Sequence, residues 1–205
     1  DTSGMTRTLN SIGIVYRNKS EYSKSLSYFN NAVEILLEIN GKDDINTAKN
    51  YVNIGNVYSN LDEHTKALEY FEKGYKLFKQ FLGNEHNLVS MAINNMGFSY
   101  LRKGESDLAL EYFNRSLQIK MTVYGEQHIE IARCYENIGN AWKTKKEYEK
   151  ALEYYHSSAD MIKELLGENQ EGVASSYNNI AVVHSDLKEY EKSEEYMLKS
   201  LNIYR

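Results

Sequence analysis

The chain has 205 residues, a formal net charge of −5 and a pI near 5.6, with 41% hydrophobic and 26% charged residues. That composition is globular and not that of a disordered chain, and its acidity argues against nucleic acid as a partner. A single cysteine, Cys134, excludes an internal disulfide and a multi-cysteine metal site. No window approaches 18 consecutive apolar residues, so no membrane-spanning helix is expected.

The first residues, DTSGMTRTLN, carry no basic-then-apolar leader and do not begin with Met, so the sequence reads as a piece of a longer chain. One cysteine and no leader suggest a reducing, cytoplasmic location. Proline is absent and helix formers are abundant, which points to an all-helical chain with few sharp loops.

Internal repeats are read before anything else, and the period is 42 residues throughout. Gly13, Gly55, Gly97, Gly139 and Ala181 share one place, and Tyr16, Tyr58, Tyr100, Trp142 and His184 share another. Ser25, Ala67, Ala109, Ala151 and Ser193 keep the same step. So do Phe29, Phe71, Phe113, Tyr155 and Met197.

In chain order, the first repeat places helix A over 6–19, opens helix B at Glu21 and stops it at Gly41. The second runs over 48–61, then Glu63 to Gly83, and the third over 90–103, then Glu105 to Gly125. The fourth runs over 132–145, then Glu147 to Gly167, and the fifth over 174–187, then from Glu189 to Arg205. In the fourth, Tyr135, Ile138, Gly139 and Trp142 form one helical stripe, and Ala151, Leu152, Tyr155 and Ala159 form a second. A carboxylate suits a helix N-terminus, and a glycine just past a helix end can take the left-handed conformation that closes the last turn. Small residues at the glycine and alanine places let helices A and B approach closely. The aromatic places fill the core, and Tyr22, Tyr148 and Tyr190 are expected to pack within their hairpins.

The order apolar-x-x-apolar-Gly-x-x-Tyr, followed by Ala and then Phe or Tyr, resembles the tetratricopeptide repeat. The usual unit of that family is about 34 residues; here the helices are longer. The segments LGNEHNLVSMAINNMGFSY and YGEQHIEIARCYENIGNAW are similar to kinesin-light-chain repeats, and the Asn-Ile-Gly-Asn tetrads at 53–56 and 137–140 resemble the Leu-Gly-Asn repeats of spindle-orientation adaptors. The proline usual near the repeat end is missing. The resemblance implies an all-α fold, a right-handed α-solenoid of about five antiparallel helix hairpins. It would form a single domain over 1–205, with repeats over 6–47, 48–89, 90–131, 132–173 and 174–205. Stacked hairpins share a core that no single hairpin could bury.

For function the resemblance implies peptide or protein binding on a concave surface lined by the A helices. Asn53, Asn95, Asn137 and Asn179 hold one place in that lining, with Ser11 in the first repeat. Asparagine is a mediocre helix former, but its amide both donates and accepts, which suits it to an extended peptide backbone. Asn56 and Asn140 extend the strip, with Asn94 and Asn178 at its margin. The same amides could instead bridge neighbouring helices. Four such hydrogen bonds contribute about 2–6 kcal/mol, whereas micromolar affinity needs roughly 8, so apolar contacts such as Phe98 or charge must add the remainder.

The five helix A segments carry nine basic and two acidic residues, including Lys49 and Arg133. A basic lining in an acidic chain would steer acidic partners toward it. The clamp with which some family members grip a chaperone's terminal carboxylate would fall on Asn56, Asn95 and Arg133. It would also fall on Val52 and Asn137, which do not match.

No catalytic motif, cofactor site or metal site is expected. His86 and His128 recur by duplication in a loop, without ligand-spaced cysteines or carboxylates. His184 replaces a core aromatic, and Cys134 reads as a small core residue. The function expected is a protein–protein interaction module that binds an extended acidic peptide through Lys49, Asn53, Asn56, Asn95, Phe98, Arg133, Asn137, Asn140 and Asn179. The alternative is a structural or sensory arm that packs on a neighbouring domain or self-associates through an uncapped C-terminal repeat.

Overall fold

The computed structural model describes residues 2–40 and 44–205, which are helical apart from short turns. The helices are α1 (Thr2–Asn18), α2 (Tyr22–Asn40), α3 (Ile45–Asn60), α4 (His64–Leu82), α5 (Asn87–Arg102), α6 (Ser106–Tyr124), α7 (Ile129–Thr144), α8 (Tyr148–Leu166), α9 (Glu171–Asp186) and α10 (Tyr190–Ile203). The all-α class and the alternation of A and B helices are those expected. Two compact units divide the chain, Asp1–Lys103 with α1 to α5 and Gly104–Arg205 with α6 to α10.

The close approach of A and B helices follows from the glycines. A Cβ on Gly13 would lie 2.7 Å from the Phe29 ring, one on Gly55 2.6 Å from Phe71, and one on Gly139 2.7 Å from Tyr155. Each ring is fully buried. Where Ser25 and Ser193 replace the alanine, their hydroxyls donate to the carbonyls of Gly13 and Ala181 at 2.8 and 2.9 Å, so the polar atom is satisfied inside the core.

The turn from A to B is a repeated Schellman closure. In the first unit Glu21 N–H donates to Tyr16 C=O at 2.9 Å and Ser20 N–H to Arg17 C=O at 2.9 Å. Glu63 and Asp62 do the same to Tyr58 and Ser59. In the second unit Glu147 donates to Trp142 and Lys146 to Lys143, and Glu189 donates to His184 and Lys188 to Ser185. The penultimate residue is left-handed each time, at φ +60 for Ser20, +58 for Asp62, +62 for Lys146 and +63 for Lys188. Gly104 holds the same place at φ +80.

The B helices open at the expected glutamates, and one expectation about helix ends is corrected. The glutamates Glu63, Glu105, Glu147 and Glu189 stand at the N-caps of the B helices, but their carboxylates accept no capping hydrogen bond. Three of them meet the lysine one turn on instead: Glu63 with Lys66 at 2.5 Å, Glu147 with Lys150 at 3.4 Å and Glu189 with Lys192 at 3.0 Å. At the other end, Gly83, Gly125 and Gly167 have φ between +82 and +93 as expected, but ψ of 179, 175 and 170. That region lies beyond the left-handed helix and is essentially open to glycine alone. Gly41, expected to act likewise, lies outside the described residues.

The A helices begin about three residues before their expected starts because the preceding loop supplies the caps. Asp44 accepts from Thr47 N–H at 2.8 Å. His86 Nδ1 accepts from Leu88 N–H at 3.1 Å, and His128 Nδ1 from Glu130 N–H at 3.2 Å. The duplicated histidines are thus N-caps.

In the first unit Phe29, Val33, Ile54 and Val57 form a core with Tyr22 packed against it. In the second, Tyr155, Ala159, Ile162, Val173, Tyr177 and Ile180 form one, with Trp142 and Tyr148 against it. Tyr190 departs from its equivalents and is 62% exposed. His184 is buried, stacks on Tyr196 at 5.7 Å and shares a hydrogen bond between its Nδ1 and Glu189 Oε2 at 2.7 Å. Cys134 is buried, and that burial pushes its thiol pKa up, leaving little thiolate.

Candidate functional site

In the first unit, α1, α3 and α5 bring their polar faces together. A hollow of about 410 Å³ lies against Arg7, Asn10, Asn46, Lys49, Asn50, Asn53 and Asn56, with Leu36, Val52 and Met91 as apolar floor. Its lining holds two cations and no carboxylate. Neither Arg7 nor Lys49 makes an ion pair among the described residues, and both are exposed.

Asparagine amides tie the A helices to one another across this face. Asn10 Nδ2 donates to Asn50 Oδ1 at 3.0 Å, and Asn50 Nδ2 donates to the Asn46 carbonyl at 2.9 Å. Asn53 Nδ2 reaches Asn10 Oδ1 at 3.5 Å, a longer contact. Further along, Asn95 Nδ2 donates to Asn56 Oδ1 at 3.2 Å. Each amide keeps capacity beyond these bonds, because an asparagine offers two donors and two acceptor lone pairs. Phe98, one turn past Asn95 on α5, is 37% exposed.

The equivalent face of the second unit is differently charged. Arg133 lies against Glu130 at 2.5 Å, and Glu130 also accepts from the buried Lys120 at 2.8 Å. Burial acts to raise the Glu130 pKa, but the Lys120 hydrogen bond and the two cations outweigh it and hold it low. Asn140 Oδ1 accepts from the Tyr155 hydroxyl at 2.8 Å. Glu136 accepts from Ser176 at 3.1 Å, and burial raises its pKa. Asn137 and Asn179 are half-buried on α7 and α9.

The sequence reading named Lys49, Asn53, Asn56, Asn95 and Phe98 from the first unit, and Arg133, Asn137, Asn140 and Asn179 from the second. Lys49, Asn53 and Asn56 line the hollow; Asn95 adjoins it through Asn56. That list left out Arg7, although it is one of the nine basic residues counted on the A helices, and left out Asn10, Asn46 and Asn50. Arg7 was available, because it stands 42 residues before Lys49 and 126 before Arg133. Asn10 continues the place of Asn94 and Asn178. Asn50 has Ala92 as its equivalent, so the repeat gave no signal there.

The tetratricopeptide repeat profile matches residues 4–80, 88–145 and 143–205, nearly the whole chain. The chain belongs to the tetratricopeptide repeat family. Members of this family are protein–protein interaction modules. No curated protein matches the sequence. Among solved structures, the tetratricopeptide chain is similar to BtubC (BKLC) from P. vanneervenii at TM-score 0.85 and 16% identity, covering 99% of this chain and 81% of that one. It is also similar to the TPR-like repeats of a Podosopora anserina protein named for kinesin light chain, at TM-score 0.80 and 13% identity, covering 100% and 96%. A third neighbour is the Rap conjugation gene regulator of the plasmid pLS20 in complex with the Phr* peptide, at TM-score 0.73 and 18% identity. There the tetratricopeptide chain is covered over 93% of its length and spans 51% of the other. These likenesses show the fold. Among the described residues of the tetratricopeptide chain, no group of His, Cys, Asp and Glu could hold a metal ion, and no helix is long and apolar enough to cross a membrane.

Proposed function

We propose that this chain is a cytoplasmic peptide-binding adaptor, a single tetratricopeptide domain without catalytic activity, which takes an extended acidic segment of a partner protein along the A helices. The observation that carries this reading is the first-unit hollow, where Arg7 and Lys49 stand over asparagine amides with no carboxylate in the lining. Amides hold the peptide backbone, the two cations attract its acidic side chains, and Met91 gives apolar contact. Asn56, Asn95 and Phe98 continue the surface on α5 and α3, and Asn137, Asn140 and Asn179 are its counterparts on α7 and α9. Arg133 contributes less than Lys49, because Glu130 already meets its guanidinium. The neighbour that holds a Phr* peptide supports a peptide as ligand class.

The test is selection of a displayed library of natural peptides on residues 1–205, with Asn95→Ala/Arg133→Glu and Arg7→Glu/Lys49→Glu as matched controls. A shared acidic motif lost most completely in the second control is the expected result. Absence of any enriched motif would dismiss the reading.

A further inference from the structure

The repeat carries its own means of neutralising a cation on the A helices. In α7, Glu130 stands one turn before Arg133 and pairs with it at 2.5 Å. The place of Arg133 recurs as Lys49 on α3, two repeats earlier, and as Arg7 on α1, three repeats earlier. Between them, on α5, it is Met91. The place of Glu130 falls on Asn46 before Lys49 and on Gly4 before Arg7. The first unit therefore keeps the cations of this place and drops the carboxylate that would meet them.

Both cations border one hollow of about 410 Å³, whose lining holds neither a carboxylate nor a histidine. Neutral donors stand beside them: the amides of Asn46 and Asn53 and the hydroxyl of Ser11. A single carboxylate brings one negative charge and two oxygens, and leaves one of the two cations unmatched. A phosphorylated serine or threonine brings about −1.5 to −2 charge and three acceptor oxygens on one side chain. Arginine offers phosphate a planar fork of N–H donors, and lysine meets it as a point charge.

We propose that the hollow recognises a phosphorylated serine or threonine in the partner segment, with Arg7 and Lys49 sharing the phosphate between them. The inference rests on the peptide reading above and narrows it: the acid selected by this unit is a phosphate ester, so phosphorylation of the partner switches binding on. Asn53 and Asn56 hold the backbone beside the phosphate, and Met91 gives apolar contact. The α7 face offers no such place, because Glu130 already meets Arg133.

Fluorescence anisotropy on the 205-residue chain, with labelled alanine heptapeptides bearing phosphoserine, glutamate or serine at the centre, tests it. The phosphoserine peptide should bind at least about tenfold more tightly than the glutamate peptide, and the serine peptide should not bind. Phosphoserine affinity should fall as pH drops from about 7.5 to about 5.5, through the second phosphate pKa of about 6. The glutamate peptide should keep its affinity over that range, because its carboxylate stays ionised. Asn46→Glu reinstates the carboxylate found before Arg133, at a helix start that tolerates it. It should weaken phosphoserine binding at least about tenfold with helicity retained by circular dichroism, whereas Lys79→Glu, outside the hollow, should not.

Equal affinity for the phosphoserine and glutamate peptides would overturn the inference and leave the acidic-segment reading standing. Displacement by inorganic phosphate as effective as by unlabelled phosphoserine peptide would overturn it in favour of a free-anion site. Failure of both charged peptides to bind would overturn it as well, and the library selection would then decide the wider reading by itself.

Discussion

Asn95 on α5 donates from Nδ2 to Asn56 Oδ1 on α3 at 3.2 Å, so two places of the candidate ligand strip are bonded to each other in the free chain. The bond leaves each amide capacity for a ligand, because it uses only part of each amide. Asn56→Ala and Asn95→Ala should each cost about 0.5–1.5 kcal/mol in urea unfolding. The double variant should cost less than their sum, since the second change removes nothing the first has not already broken. Full additivity would show that the bond does not form in solution.

Gly139 lies under the Tyr155 ring, where an added Cβ would come within 2.7 Å of it. Ala is the better helix former, but overpacking a buried ring typically costs about 1–3 kcal/mol. Gly139→Ala should lower the unfolding midpoint. Replacing the ring as well, in Gly139→Ala/Tyr155→Met, should recover part of the loss. The fifth repeat already combines Ala181 with Met197 at these places. If Gly139→Ala stabilises the chain, the close approach of α7 and α8 is wrong.

Lys146 closes α7 in the left-handed region at φ +62, where Gly104 serves in the third repeat. A left-handed residue with a Cβ costs roughly 1–2 kcal/mol, from which the extra freedom of glycine in the unfolded chain subtracts. Lys146→Gly should therefore raise stability by up to about 1 kcal/mol in a denaturant melt. A loss of stability would argue for a different turn.

Burial raises the Glu136 pKa above the usual carboxylate value, with Ser176 as a partial offset. Between the ordinary value and the raised one, the folded chain binds more protons than the unfolded chain. Stability should accordingly rise as pH falls through that window and level off at its lower value above it. Glu136→Gln removes the charge and keeps an oxygen for the Ser176 hydroxyl, so it should stabilise the chain at neutral pH and flatten that slope. Thermal melts of both proteins across mildly acidic to neutral pH decide it; an unchanged slope refutes the assignment.

The helix hairpins were legible because the 42-residue register repeats every packing contact: Gly13 with Phe29, Gly55 with Phe71, Gly139 with Tyr155. The helix ends were legible only in part. Ser20, Asp62, Lys146 and Lys188 adopt a left-handed conformation imposed by the Schellman bonds and not by their own preference, so residue type gave no sign. His86 and His128 were noticed as duplicates, yet their capping role depends on Nδ1 facing a backbone N–H two residues on. At the candidate site, Lys49 and Asn53 came from repeat places, whereas Asn50 is an unrepeated residue that only the spatial neighbourhood of Asn10 reveals.

The most direct test of the central claim is the affinity of a selected acidic peptide, read by fluorescence anisotropy, for the wild type, for Lys49→Glu and for Lys79→Glu, an exposed α4 residue outside the hollow. The account predicts at least about a tenfold loss for Lys49→Glu, a weaker wild-type interaction at high salt and near-wild-type binding for Lys79→Glu. Equal binding by all three proteins, or equal losses from both substitutions, would contradict it.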